Sequence, residues 1–279
     1  MTATGTPFGN SRRIASLAAL AAILLVISGC GHRERVAQQP PPQELPPQQP
    51  AYVPQPPPQY PRQYPSQAQS QPLGPIPVTP VPPGGVSPDD LQFVASHKPI
   101  ATQEGFASWY TAPYKGRKAA NGQVFNDQAM TAAHRTLPMG SLIVVTNLKT
   151  GQSSAMRISD RGPFVTGRIL DLTIASAKAT GIYEHGTARV RIDVYQTPKP
   201  IASGGRWCVQ IGAFHTEQEA IQLKQQLLTT YANSDVIEFP GEDSYWVRIR
   251  PQGDNLEMAQ YIARHLHPIE GEAFLTRLD

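Results

Sequence analysis

The chain has 279 residues and 29 prolines, about twice ordinary usage, and 19 of them fall between Pro40 and Pro88. Proline lacks an amide proton and fixes φ, so that stretch cannot form helix or central strand, and a single globule spanning the whole chain is excluded. Charged residues make up only 16% and the formal net charge is +3, which gives a nucleic-acid partner no global electrostatic support. What remains outside the proline-rich stretch is long enough for two modest domains.

Arg12 and Arg13 precede 14 uncharged residues, Ile14 to Ile27. A membrane span needs about 20, whereas this run has the length of a signal-peptide apolar region. It ends Ile27-Ser28-Gly29-Cys30, and small residues directly before a cysteine resemble the lipobox of bacterial lipoproteins. That resemblance implies a lipoprotein signal peptide over 1–29 and lipidation of Cys30 as the membrane anchor, with Gly31 favouring the outer membrane. Acyl chains supply about 0.8 kcal/mol per buried methylene, so several on one residue hold stably. With Cys30 lipidated, Cys208 has no partner in the chain for a disulfide. It lies in an apolar strand-like run and reads as a small buried residue.

Residues 30–101 are rich in Pro and Gln and nearly free of aliphatic periodicity, the composition of a disordered linker. Proline-rich chain extends about 3.1 Å per residue, so some sixty residues reach at most on the order of 180 Å. Such an arm suits a head that works at a distance from its anchor.

From Thr102 to Gln196 the pattern becomes that of short strands, at 105–110, 141–147, 153–159, 169–172 and 188–195. An alanine-rich helix over 173–180 is stopped by Gly181. Several short strands in so few residues argue a small all-β barrel. Residues 197–204, with Pro198 and Pro200, form a second linker. The segment 205–279 has another rhythm: strand 207–213, a helix opened by the capping box Thr216 to Glu219, strands 235–239 and 245–250, a helix over 254–267 and strand 273–277. Ala220, Leu223, Leu227 and Leu228 are the expected buried face of the first helix. The order β-α-β-β-α-β is that of an α+β ferredoxin-like domain.

Gly-x-Ala-Ser-Trp-Tyr at 105–110, Ala-Asn-Gly at 120–122, Thr-Ala-Ala-His-Arg-Thr-Leu-Pro at 131–138, Asp-Arg-Gly-Pro-Phe at 160–164 and Gly-Arg-Ile-x-Asp-Leu at 167–172 resemble the rare lipoprotein A family. The family resemblance implies a double-psi β-barrel and endolytic lytic transglycosylase activity on peptidoglycan at the division septum. Trp207 to Phe214 and Trp246 to Ile249 resemble a SPOR domain, which implies binding of glycan strands stripped of peptide. Divisome proteins are the protein partners such a setting implies.

By this resemblance the C6 hydroxyl of a muramic acid attacks its own C1 and leaves a 1,6-anhydro ring, so one carboxyl can act first as acid and then as base. Asp160, at a strand end before a Gly-Pro turn, is the expected acid, and His134 is expected to polarise the substrate or hold Asp160. The family pattern continues Ala-Asn-Gly with Glu, a second catalytic carboxyl, but here the residue is Gln123. An amide neither donates a catalytic proton nor acts as a base. Three readings follow: an enzyme working through Asp160, a glycan-binding scaffold that does not cut, and an expansin-like loosening protein. Tyr110, Arg135 and Arg168 are the expected substrate-binding residues of the barrel, and Asp171 also fits a family position. His134 and His185 are isolated, with no metal-ligand spacing, so neither a metal nor a cofactor is expected.

Charge divides by domain: residues 101–203 hold 12 Lys/Arg against 6 Asp/Glu, and residues 204–279 hold 6 against 11. A basic barrel is steered toward an anionic wall polymer. In the second domain Val209, Ile211, Val247 and Ile249 alternate with Gln210, Trp246 and Arg248. If the aliphatic set faces the helices, Gln210, Trp246 and Arg248 line an open sheet face that would take a glycan.

Overall fold

The computed structural model describes residues 80–279 apart from 112, 113, 115 and 241–243. The expected signal peptide, Cys30 and most of the proline-rich stretch lie outside the described residues. Composition assigns everything before residue 102 to linker, but Pro88–Ser96 forms a helix, α1. The correction has a local cause. Ser87 Oγ accepts from Asp90 N–H, and Asp90 Oδ2 accepts from Ser87 N–H at 2.9 Å, a reciprocal capping box. Pro88 occupies the first helical turn, where a missing N–H leaves nothing unpaired. Asp90 is buried and bidentate to Arg157, at 3.0 and 2.5 Å, which fixes the helix to the barrel.

Six strands close that barrel: β1 (Ala101–Trp109), β2 (Thr131–Ala133), β3 (Leu142–Asn147), β4 (Ser153–Asp160), β5 (Arg168–Leu172) and β6 (Ala188–Gln196), in the order β1-β5-β2-β4-β3-β6. The pairs β1–β5 and β2–β4 are parallel and the other neighbours antiparallel. Alternation explains the sidedness: in β6, Val190, Ile192 and Val194 are fully buried while Arg189 and Arg191 are exposed. With Ile143, Val145, Met156, Ile158, Leu170 and Leu172 they fill the barrel interior. Helix α2 (Ile174–Ala179) is capped by Thr173, which accepts from Ser176 N–H, and Gly181 follows with φ of +66°.

The second domain runs β7 (Trp207–Phe214), α3 (Glu217–Thr230), β8 (Asp235–Pro240), β9 (Tyr245–Arg250), α4 (Leu256–His265) and β10 (Glu272–Arg277). Its antiparallel sheet has the order β10-β7-β9-β8, the ferredoxin-like arrangement. Val209, Ile211, Val247 and Ile249 pack against Ala220, Leu223, Leu227, Ala259 and Ile262 of the two helices. Leu228, expected on the buried face of α3, is 42% exposed. It lies about 100° around the helix from Leu227, beyond the apolar stripe.

Candidate active site

Strand β2 brings the chemistry together. Its Ala133 registers on Asp160 of β4 on one side and on Asp171 of β5 on the other. Two strand spacings separate those carboxyl-bearing residues, roughly 10 Å between Cα atoms. Asp160 Oδ1 accepts two backbone N–H groups, from Ala120 at 2.9 Å and Arg161 at 2.8 Å. Among the described residues its Oδ2 has only the Tyr110 hydroxyl, at 3.4 Å. Burial raises the pKa of Asp160, against the opposing pull of the two amides, Tyr110 and the Arg161 charge. With Oδ1 engaged by both amides, the proton belongs on Oδ2.

Tyr110 packs on Phe125, ring centroids 4.8 Å apart, and its hydroxyl pKa stands well above the usual value through burial and the nearby Asp160 and Asp171 charges. Asp171 accepts from Ser108 Oγ at 2.5 Å and lies 3.7 Å from an Arg168 guanidinium nitrogen. Burial raises its pKa as well. Among the described residues the Nε of Arg168 is buried without an acceptor, a donor that a bound hydroxyl could use. Ser108 is a member of this cluster that sequence reasoning did not single out. Its signal was present in its place between Ala107 and Trp109 of the matched motif.

His134 is not where a catalytic imidazole is expected. Its Nδ1 accepts from the backbone N–H groups of Thr136 and Leu137 at 3.1 and 3.0 Å, and its Nε2 lies 3.2 Å from Gln103 Oε1. Two donors on Nδ1 place the proton on Nε2. The link to Asp160 runs through the main chain: His134 N–H donates to the Asp160 carbonyl at 3.2 Å. Burial, then the Arg161 and Arg135 charges, push the pKa of His134 down to about 3. A depressed histidine stabilises the fold above its unfolded pKa of about 6.5, and that contribution is lost as pH falls toward 3. Between pH 7 and pH 5 the native protein should therefore lose about 2 kcal/mol relative to a His134→Gln variant, which has nothing to titrate there. Urea unfolding at the two pH values measures it, and parallel curves for the two proteins would remove His134 from the pH response.

The Arg161 side chain turns away from Asp160. Its guanidinium is buried and donates to the carbonyls of His134 (3.0 Å), Leu137 (2.9 Å), Asp279 (2.7 Å) and Arg277. It thus ties the loop after Asp160 to β10 and the residues that follow. Burial lowers its pKa to about 10, still charged at neutral pH. Next along the loop, the Phe164 ring lies 5.5 Å from Trp246 and 5.9 Å from Phe274. Arg135 stacks over Phe274 at 5.3 Å and donates to the Pro163 carbonyl at 2.9 Å.

These contacts correct the expectation of an open sheet face in the second domain. Gln210, Arg248 and Phe274 are neighbours across β7, β9 and β10. Gln210 is buried and accepts from Arg248 at 3.0 Å, while Trp246 and Phe274 meet Phe164 of the barrel. The aliphatic residues face the helices as the alternation requires, and Phe164 of the barrel covers part of the opposite face, leaving Trp246 and Arg248 half-buried. Cys208 on the same face is buried, and burial raises its thiol pKa to about 11.

Gln123 does not bond to Asp160. Its Oε1 accepts from Asn121 Nδ2 at 2.6 Å and from Val81 N–H at 2.9 Å, and its Nε2 donates to the Val81 carbonyl at 3.0 Å. The two residues are related through one hairpin, whose Ala120 N–H holds Asp160 and whose Asn121 N–H donates to the Ser159 carbonyl at 3.1 Å.

Residues 102–192 match the family described as lytic transglycolase, and residues 203–275 match the SPOR domain. A probable endolytic peptidoglycan transglycosylase RlpA of Synechocystis is 52% identical over 92 residues, which is 33% of this chain and 29% of that protein. The endolytic peptidoglycan transglycosylase RlpA of Neisseria meningitidis serogroup A is 37% identical over 156 residues, 54% of this chain and 65% of that protein. The chain thus spans less than two thirds of the length of these curated relatives. Among solved structures, the Clavibacter michiganensis expansin aligns with a TM-score of 0.29 and 15% identity, over 53% of this chain and 78% of that one. Barrel topology, the motif residues around Asp160 and the following ferredoxin-like domain agree with the two matches: a double-psi β-barrel of the lytic transglycolase family precedes a SPOR domain, and over these residues the chain is similar to the rare lipoprotein A proteins.

Proposed function

We propose that the chain is a lipid-anchored endolytic lytic transglycosylase that cuts peptide-stripped glycan strands of peptidoglycan at the division septum. The observation that carries this reading is the asymmetric environment of Asp160, one oxygen pinned by two backbone amides and the other left to bear a proton. Asp160 Oδ2 protonates the departing glycosidic oxygen while the C6 hydroxyl of the muramic acid bonds to C1. The resulting carboxylate then takes the proton from that hydroxyl, and the glycan ends in a 1,6-anhydro ring with no water consumed. Tyr110 and Arg168, with its spare Nε donor, border the reacting sugar, and Arg135 attracts carboxylates of the wall polymer. The SPOR domain recruits denuded glycan through Trp246 and Arg248, which the Phe164 loop partly covers and a strand would have to displace. Cys30 carries the lipid, on the periplasmic face of the outer membrane, and divisome proteins are the neighbours there.

A second reading, glycan binding without cleavage, is favoured by Gln123, which supplies no second carboxyl. Incubation with peptide-stripped glycan followed by mass spectrometry separates the two. Anhydro-ended products from the native chain support the enzyme. Their absence, under conditions where Gln123→Glu produces them, supports the binding protein.

A further inference from the structure

The contact between Gln123 and Val81 joins residues 42 positions apart. It is a two-point recognition of one residue's backbone, N–H accepted and C=O donated to. A glutamate at 123 could accept the N–H with one oxygen, but its other oxygen would face the Val81 carbonyl, acceptor against acceptor. The amide is further fixed by Asn121, which donates to Oε1 and accepts from the Gln123 N–H at 3.0 Å.

Other contacts continue along the same segment. Val81 is buried, and beside its contact with Gln123 a groove of about 380 Å³ is lined by Val81, Pro82 and Pro83 together with Asn121, Phe125 and Ser159. Gly85 N–H donates to the Pro82 carbonyl at 2.7 Å, and Met130 N–H donates to the Gly84 carbonyl at 2.8 Å. Gly85 has φ of +89°, and a Cβ there would fall 2.2 Å from the Met130 carbonyl oxygen. Only glycine allows so close an approach in that conformation.

We propose that the barrel surface around Gln123 and Met130 is a docking site for an extended, proline-bearing peptide segment, that its occupant is the chain's own Val81–Gly85, and that Gln123 is the residue that selects a peptide backbone there. The role of Gln123 is then to fasten the end of the linker to the barrel, not to move protons. Because the fastened hairpin also presents Ala120 N–H to Asp160, the docked segment buttresses the site from outside.

Hydrogen exchange of the full chain, followed over Val81–Ser87 with β6 as internal reference, tests the proposal. The native chain should show slow exchange at Val81. Gln123→Glu and, separately, Gly85→Ala should each speed exchange in this segment by about tenfold or more, with β6 unchanged. Gly85→Ala alters no barrel residue, so it stands even if the Gln123 variant folds poorly. Free-peptide exchange at Val81 in the native chain, or protection that survives Gly85→Ala, overturns the docking site. Protection that survives Gln123→Glu overturns the role of the amide. None of these outcomes depends on glycan cleavage, so failure here is distinct from failure of the transglycosylase reading.

Discussion

Asp160→Asn is expected to slow glycan cleavage by about 10²- to 10⁴-fold, the usual contribution of a positioned acid–base group, while leaving the fold intact. The geometry makes the substitution clean. An asparagine keeps an oxygen at the Oδ1 position for the Ala120 and Arg161 amides, and only the proton-bearing side changes chemistry. On the proposed reading, the native chain should also lose activity as pH rises through the pKa of Asp160. That pKa is raised by burial, so the acidic form persists to higher pH than in a free aspartate. Release of anhydro-ended fragments against time, for both proteins across a pH series, measures both effects. An Asp160→Asn variant that cleaves at the native rate would move the catalytic role elsewhere in the barrel, with Asp171 the next carboxyl at hand.

The largest effect on stability is expected from Arg161→Met. Methionine retains much of the side-chain volume but leaves the carbonyls of His134, Leu137, Arg277 and Asp279 without their donor. At roughly 1 kcal/mol for each lost bond, the native state should be destabilised by about 4 kcal/mol. Since two of those carbonyls belong to each domain, the variant should also unfold in two separated steps, barrel and SPOR domain apart. Calorimetry would show it. A single transition at the native temperature would mean that the guanidinium network is not what joins the domains. Arg161→Lys should fall between the two, because an ammonium cannot reach all four acceptors in the planar fork that arginine offers.

Much of this fold is written in local pattern. The alternation in β6, β7 and β9 and the capping box at Thr216 specify strands and a helix without reference to the rest of the chain. Strand β2 is different. Its three residues, Thr131–Ala133, are all buried, so there is no alternation to read. Its existence depends on β4 and β5 closing on either side. Helix α1 carried its own start signal, Ser87-Pro88 with Asp90, but the surrounding prolines masked it. For the site, Asp160 was legible as a turn-end carboxyl within a motif. That His134 is fixed in a neutral tautomer was not, because its partners are two main-chain amides and a glutamine in β1. Gln123 was legible as a departure from the family, whereas its partner in Val81 required the fold to return the chain to that hairpin.

On the proposed reading that the sheet face takes glycan, the placement of Phe164 against Trp246 and Phe274 has a thermodynamic consequence. A glycan strand directed to that sheet face meets a competitor carried on the same polypeptide, at an effective concentration that no dilution lowers. Apparent affinity is then the intrinsic affinity multiplied by the fraction of molecules in which the loop has lifted. If that fraction were about 1%, a strand would bind about a hundredfold more weakly than the bare face allows. The same relation holds in reverse: each strand captured on the sheet favours the lifted loop, and that loop begins at Asp160. If Asp160 is the acid and this face takes glycan, as proposed, occupancy of the face would bear on the acid through one phenylalanine, with no ligand shared between them.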